Sequence, residues 1–337
     1  MSDASTKTVA VIGAGSWGTA LAILLAKNHS HVHLWAHRQQ HADHINAARC
    51  NTRYLPDIPL PENLQATADL RTALTDVDLV LVVVPSHAFR ATLKAIQPFM
   101  DGHRHLAWGS KGLEPETNKL LHEICREELG EAIAPVVVTG PTFAAEVAKG
   151  LPSAVTVACE DEHYAERVAR MLHNDVFRAY ISTDIIGAEI GGAVKNVIAI
   201  AAGIADGLGY GANTRAALIT RALAEIMRFG VIMGGQRETF MGLAGLGDLI
   251  LTATDNQSRN RRLGLLLAQG KTQQQATEEI GQVTEGLHTA KEIFSLAQQQ
   301  KVDMPITEQV YRVLYEGLTP NDSVQALLSR DLKPELG

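Results

Sequence analysis

The chain has 337 residues, enough for roughly two domains with a core each. A hydrophobic share of 46% and a charged share of 20% exclude a disordered chain. A net charge of −7 without a basic block argues against nucleic acid as a partner, and three scattered cysteines (Cys50, Cys125, Cys159) with no CxxC pair argue against a disulfide framework or zinc knuckle.

Residues 1–7 are short and polar and lack the apolar stretch of a secretion signal, which with the cysteine usage suits a cytoplasmic protein. Residues 9–12 read as a buried strand, 17–28 as a helix, 31–35 as a second strand and 39–49 as a helix. Residues 79–84 form a third apolar strand stopped by Pro85, and 105–108, 136–139, 154–158 and 177–181 continue the strand series. This alternation predicts parallel βαβ units. After about Gly187 it stops, and helical patterns cover 188–205, 214–229, 259–268, 272–280, 290–299 and 307–315. The fold class is therefore α/β: a Rossmann-like dinucleotide-binding domain over 1–187, then an all-α domain over 188–337. The longest apolar run, 197–205, falls short of the ~20 residues of a membrane helix, so no transmembrane segment is expected.

Residues 13–18, GAGSWG, match GxGxxG between a strand and a helix. In that context Gly13 permits the tight turn, Gly15 lets a pyrophosphate approach the backbone, and Gly18 allows close helix packing. The pattern alone is weak, since residues 242–247, GLAGLG, cluster glycines without a preceding strand. At the end of the second strand an Asp or Glu would hold the ribose of NAD, but this chain has Ala36-His37-Arg38. A guanidinium there suits a 2′-phosphate, which favours NADP(H) with NAD(H) tolerated; the alternative is a solvated helix entry. His31 and His33 share a strand face and His37, His41 and His44 a helix face, with no Cys or carboxylate cluster to complete a metal site.

Lys195 lies in the apolar stretch 191–202, GGAVKNVIAIAA. Either its stem snorkels along apolar neighbours to water, or it is buried as a general acid or base with a pKa lowered by desolvation. Asp255 and Asn256 suit a helix start, where the following Ser258, Arg259 and Asn260 would offer a hydroxyl, a guanidinium and an amide to a dianion; a plain polar helix N-terminus fits the same residues. Asp248 reads as an N-cap, and Lys111 as a surface loop lysine.

Several motifs in order carry a resemblance over essentially the whole length: 11–22, VIGAGSWGTALA; 82–87, VVVPSH; 110–114, SKGLE; 139–144, TGPTFA; 192–197, GAVKNV; 245–249, GLGDL; and 255–261, DNQSRNR. The chain resembles the bacterial-type NAD(P)-dependent glycerol-3-phosphate dehydrogenases. The resemblance implies reversible reduction of dihydroxyacetone phosphate to sn-glycerol 3-phosphate, which feeds glycerophospholipid synthesis, and it is compatible with a homodimer. It makes Lys195 the proton acceptor in the oxidation direction. It places Lys111, Gly140, Thr142, Lys195, Asp248, Ser258, Arg259 and Asn260 at the substrate. It places Ser16, Trp17, Lys111, Ala144, Arg259, Val283 and Glu285 at the cofactor, beside Gly13, Gly15, Gly18, His37 and Arg38 from the glycine loop and the end of the second strand. The alternatives are a 3-hydroxyacid or 6-phosphogluconate-type dehydrogenase, which would need a differently placed arginine clamp, and a non-catalytic NADP-binding sensor, which would have no use for Lys195.

Overall fold

The computed structural model describes residues 7–100, 105–332 and 334. The chain falls into two compact units, Met1–Glu189 and Ile190–Gly337.

The first unit is built on eight strands: β1 (Thr8–Ile12), β2 (His31–Trp35), β3 (Leu64–Thr67), β4 (Leu79–Val82), β5 (His105–Trp108), β6 (Val137–Thr139), β7 (Ser153–Ala158) and β8 (Phe177–Ser182). Between them run α1 (Ser16–Asn28), α2 (Gln39–Ala48), α3 (Leu70–Leu74), α4 (Ser86–Ile96), α5 (Leu121–Leu129), α6 (Ala144–Lys149) and α7 (Glu162–Leu172). The spatial order is β3-β2-β1-β4-β5-β6-β7-β8. Val9 to Ile12 of β1 and all of β4 are buried, as expected of central strands covered on both faces. The expected strand 79–84 ends at Val82, because the N–H of Val84 turns out of the ladder to the Ser110 hydroxyl at 3.1 Å.

The sheet departs from an all-parallel expectation at one place: β6 and β7 pair antiparallel. A parallel connection needs a crossover long enough to return along the strand. Here α6 stops after six residues at Gly150, whose φ of 77° is left-handed and turns the chain back. β3, which pairs parallel with β2, is missing from the sequence reading because its four residues, LQAT, are too few and too polar to stand out.

The second unit is helical: α8 (Ile185–Gly207, beginning in the first unit), α9 (Ala212–Ile232), α10 (Arg237–Met241), a π-helical turn (Leu243–Gly247), α11 (Asp248–Thr254), α12 (Arg259–Ala268), α13 (Gln273–Ile280), α14 (Glu285–Gln299), α15 (Pro305–Tyr315) and α16 (Pro320–Leu328). Val197, Ile200 and Ile204 of α8 pack with Leu263 and Leu267 of α12, Leu287 and Ala290 of α14, and Val310 and Leu314 of α15. By length and composition α8 could cross a membrane, but 94% of its most apolar window is buried within the protein, so it is a core helix.

Candidate active site

Gly13 and Gly18 have the tight turn and the close helix approach expected of them. Gly13 has φ 126°, and a Cβ there would stand 2.2 Å from the carbonyl oxygen of Val83. A Cβ at Gly18 would stand 1.9 Å from the carbonyl oxygen of Gly13, so α1 approaches β1 more closely than any other residue permits. At Gly15 nothing lies within 4 Å of that position. Gly15 is also the N-cap of α1, and no side chain caps the helix, which leaves the first-turn N–H groups and the positive end of the dipole facing open space. A helix start of this kind can receive an anion. Ser16 donates its hydroxyl to the carbonyl of Tyr54 at 2.7 Å. Asn51, buried and far off in sequence, braces the loop by donating to the carbonyl of Ala14 at 3.0 Å and to the Thr19 hydroxyl at 2.8 Å. No sequence pattern announced Asn51.

The parallel strands β1, β4, β5 and β6 end on one edge of the sheet, and the residues that follow them gather there: the glycine loop after β1, Val83 and Val84 after β4, Gly109 to Lys111 after β5, and Gly140 to Thr142 after β6. β1 has β2 on one side and β4 on the other, the reversal in strand order beside which open α/β sheets bind ligands. Ser110 donates to the carbonyl of Val84 at 2.6 Å and so ties the Lys111 loop to the end of β4. A glycine is needed at 140, where φ is 146° and a Cβ would lie 3.0 Å from the backbone of Val155. Thr142 donates to the carbonyl of Gly140 at 3.3 Å, and Ala144 opens α6. At the end of β2, Ala36 is buried while His37 and Arg38 are exposed. Arg38 is the N-cap of α2, and its side chain meets no carboxylate among the described residues. His37 precedes α2 instead of sharing its face with His41 and His44; those two bond to the side chains of Asn51 and Thr52. Among the described residues no cluster of His, Cys, Asp or Glu is placed to hold a metal ion.

In the second unit Lys195 does not snorkel. It is 6% exposed, and its ammonium donates to a carboxylate oxygen of Asp248, itself 0% exposed, and to the Thr252 hydroxyl at 3.0 Å. The ion pair offsets the cost of burying either charge alone. The structure replaces the N-cap reading of Asp248: it is the first residue of α11, directly after the π-helical turn, and its carboxylate is turned to Lys195. Gly245 of that turn and Gly191 of α8 let it sit tightly, since a Cβ at Gly245 would lie 2.1 Å from the carbonyl of Phe240 and one at Gly191 would lie 2.4 Å from the carbonyl of Ala244.

Ser258 is the N-cap of α12, its hydroxyl accepting from the N–H of Arg261 at 3.2 Å. Asn260 donates to the side-chain oxygen of Asn196 at 2.9 Å and accepts from the N–H of Gly286 at 2.9 Å. A Cβ at 286 would lie 2.5 Å from that Asn260 oxygen, so the contact requires glycine. Asn196 follows Lys195, and the Asn196–Asn260 bond thereby joins the lysine helix to the Ser258–Asn260 cluster. Arg259 donates to the carbonyl of Val283 at 2.9 Å and to Gln282 at 3.4 Å. Burial holds its guanidinium below its ordinary pKa, with the charge of Glu285 opposing that shift. Glu285 is half-buried in the first turn of α14, and Val283 is exposed. Thr252 and Asn196 were not singled out from sequence. Thr252 lies one helical turn after Asp248, a spacing that would have found it once Asp248 was known to face inward.

A dinucleotide cradle at the switch point of a Rossmann-like sheet, with a buried lysine–aspartate pair on a helical unit of the same chain, defines a nicotinamide-dependent dehydrogenase. The chain belongs to the NAD-dependent glycerol-3-phosphate dehydrogenase family: the N-terminal family model matches residues 8–165 and the C-terminal one residues 184–325. It is 55% identical over 328 residues to the glycerol-3-phosphate dehydrogenase [NAD(P)+] of Methylococcus capsulatus, covering 97% of this chain and 98% of that one. The corresponding Klebsiella pneumoniae protein is 52% identical over 334 residues, covering 99% and 98%. The crystal structure of glycerol-3-phosphate dehydrogenase from Coxiella burnetii superposes with a TM-score of 0.93 at 47% identity, covering 96% of this chain and 99% of that one.

Proposed function

We propose that this chain catalyses the reversible, nicotinamide-dependent reduction of dihydroxyacetone phosphate to sn-glycerol 3-phosphate, with Lys195 as the proton donor. The observation that carries this reading is the buried Lys195–Asp248 pair, joined through Asn196 and Asn260 to a cluster suited to a phosphate. With both family models matched, the hydroxyacid-type and sensor readings are not favoured.

The residues divide the work as follows. Gly13, Gly15, Ser16, Trp17 and Gly18 receive the pyrophosphate on the α1 N-terminus. His37 and Arg38 stand where a carboxylate would select NAD, which supports a preference for NADP(H). Ala144, Val283 and Glu285 complete the cofactor contacts. The reduced nicotinamide, when bound, supplies a hydride to the ketone carbon. Lys195 holds the proton that the ketone oxygen takes up as that carbon is reduced, and it accepts the same proton when the alcohol is oxidised. Asp248 and Thr252 fix the ammonium and limit its rotamers. Ser258, Arg259 and Asn260 hold the phosphate dianion, Arg259 also reaching the cofactor. Lys111, Gly140 and Thr142 orient the remainder of the substrate. The free state of Cys50, Cys125 and Cys159 supports a cytoplasmic setting, and the exposed apolar side chains Val231, Ile232 and Met241 support association into a homodimer.

A substrate panel tests the reading. NADPH oxidation is followed by the loss of nicotinamide absorbance with dihydroxyacetone phosphate and with a 3-oxo acid, and NADPH formation from NADP+ is followed in parallel with 6-phosphogluconate. Turnover with the keto-phosphate alone is expected, and turnover confined to a carboxylate substrate would replace it.

A further inference from the structure

We propose that Arg261 is a positioning residue for the substrate phosphate. It would act by shaping the 253–258 segment that leads into Ser258, Arg259 and Asn260. This rests on the reading of those three residues as the phosphate anchor.

Arg261 is buried, and each part of its guanidinium is engaged. Nε donates to the carbonyl of Ala253 at 3.2 Å, one terminal nitrogen donates to the side-chain oxygen of Asn256, and the other donates to Asp206 Oδ2 at 2.5 Å. Its backbone N–H meets the Ser258 hydroxyl at 3.2 Å. One residue thus holds the end of α11, the turn that follows it and the N-cap of α12. Within that turn Asp255 accepts from the N–H of Gln257 at 2.7 Å, and its carbonyl accepts from the N–H of Ser258 at 3.2 Å. With Nε and both terminal nitrogens each bonded to a protein acceptor, Arg261 acts on a ligand through the loop that it holds.

Two further features fix the loop relative to Lys195. α12 crosses α8 backbone to backbone: a Cβ at Gly203 would lie 2.0 Å from the carbonyl of Arg261, and one at Gly264 would lie 2.1 Å from the carbonyl of Ile200. Asp206, near the end of α8, also accepts from Arg215 Nε at 3.0 Å and Nη2 at 2.9 Å. Two guanidinium groups share one carboxylate, so this triad carries a net positive charge. Arg is required at 261 because three acceptors in different directions match a planar fork and not a single ammonium.

The test compares Arg261→Lys with wild type on dihydroxyacetone phosphate and on dihydroxyacetone, which lacks the phosphate, with NADPH. Asp206→Asn serves as a second variant that leaves the bonds to Ala253 and Asn256 in place. For Arg261→Lys, KM for the phosphorylated ketone should rise about tenfold or more, the scale of a lost charge-assisted hydrogen bond. Its kcat, its activity on dihydroxyacetone and its Kd for NADPH should change by less than about threefold, well inside that scale. Asp206→Asn should move the same KM in the same direction by less. Parallel losses on both ketones, or an unchanged KM in both variants, would overturn the proposal. A wild-type enzyme that does not prefer the phosphorylated ketone would overturn the phosphate-anchor reading and this proposal with it. If Arg261→Lys does not fold, an unmoved KM in Asp206→Asn overturns the proposal.

Discussion

Lys195 donates to the carboxylate of Asp248 from 53 positions earlier in the chain, and both side chains are buried. Neither charge would be stable there alone, and together they hold an ammonium in a fixed orientation inside the helical unit.

Removing one member of the pair should therefore cost stability as well as activity. Asp248→Asn leaves an ammonium without its carboxylate, and unfolding by urea should show a loss of about 3 kcal/mol or more. The double variant Lys195→Met with Asp248→Leu should recover most of that stability and none of the turnover. An Asp248→Asn protein with an unchanged unfolding midpoint would mean that the pair is not energetically coupled.

The proposed preference for NADP(H) rests on the exposed Arg38 at the end of β2. Arg38→Asp should lower kcat/KM for NADPH about tenfold or more, the scale of a lost charge-assisted hydrogen bond, and improve the value for NADH. An unchanged NADPH to NADH ratio would show that Arg38 does not meet the 2′-phosphate.

Glu225 of α9 gives the helical unit a pH dependence that is separate from catalysis. Its carboxyl is buried against the first turn of α15, where it accepts from the N–H of Ile306 at 2.8 Å and of Thr307 at 3.4 Å. Burial pushes its pKa up from 4.5 to about 7, the two backbone N–H groups and Arg228 opposing that rise. The folded state thus binds this proton more tightly than the unfolded state. The resulting stability is fully present below pH 4.5 and is lost as pH rises through 7. The change is on the order of 3 kcal/mol. Glu225→Gln, which keeps an acceptor for Ile306, should flatten the stability profile between those limits. Identical profiles for the two proteins in thermal denaturation would remove Glu225 as its source.

Much of the first unit was legible because it repeats a short rule. Fully apolar runs such as 9–12 and 79–84 read as buried strands, the second ending two residues early at Val82, and each is followed by a helix. The β6–β7 reversal was not legible, since it depends on where α6 ends and on the left-handed Gly150. In the second unit helix positions could be read from their period, but not the side-chain partners. Asp248 has the sequence setting of an N-cap and the structural setting of a counter-ion, and nothing local distinguishes the two. Asn51, Thr252, Asn196 and Arg261 were silent for the same reason: each matters through a residue it meets only after folding. Lys195 itself was legible as an anomaly, since an ammonium amid apolar neighbours demands an explanation that local pattern cannot supply.

The most direct measurement is the rate of NADPH oxidation with dihydroxyacetone phosphate in the Lys195→Met protein, alongside its Kd for NADPH by fluorescence. The account predicts near-normal cofactor binding and a kcat reduced by about 10²–10⁴, the scale of lost general acid–base catalysis. Turnover close to that of the wild type would contradict Lys195 as the proton donor.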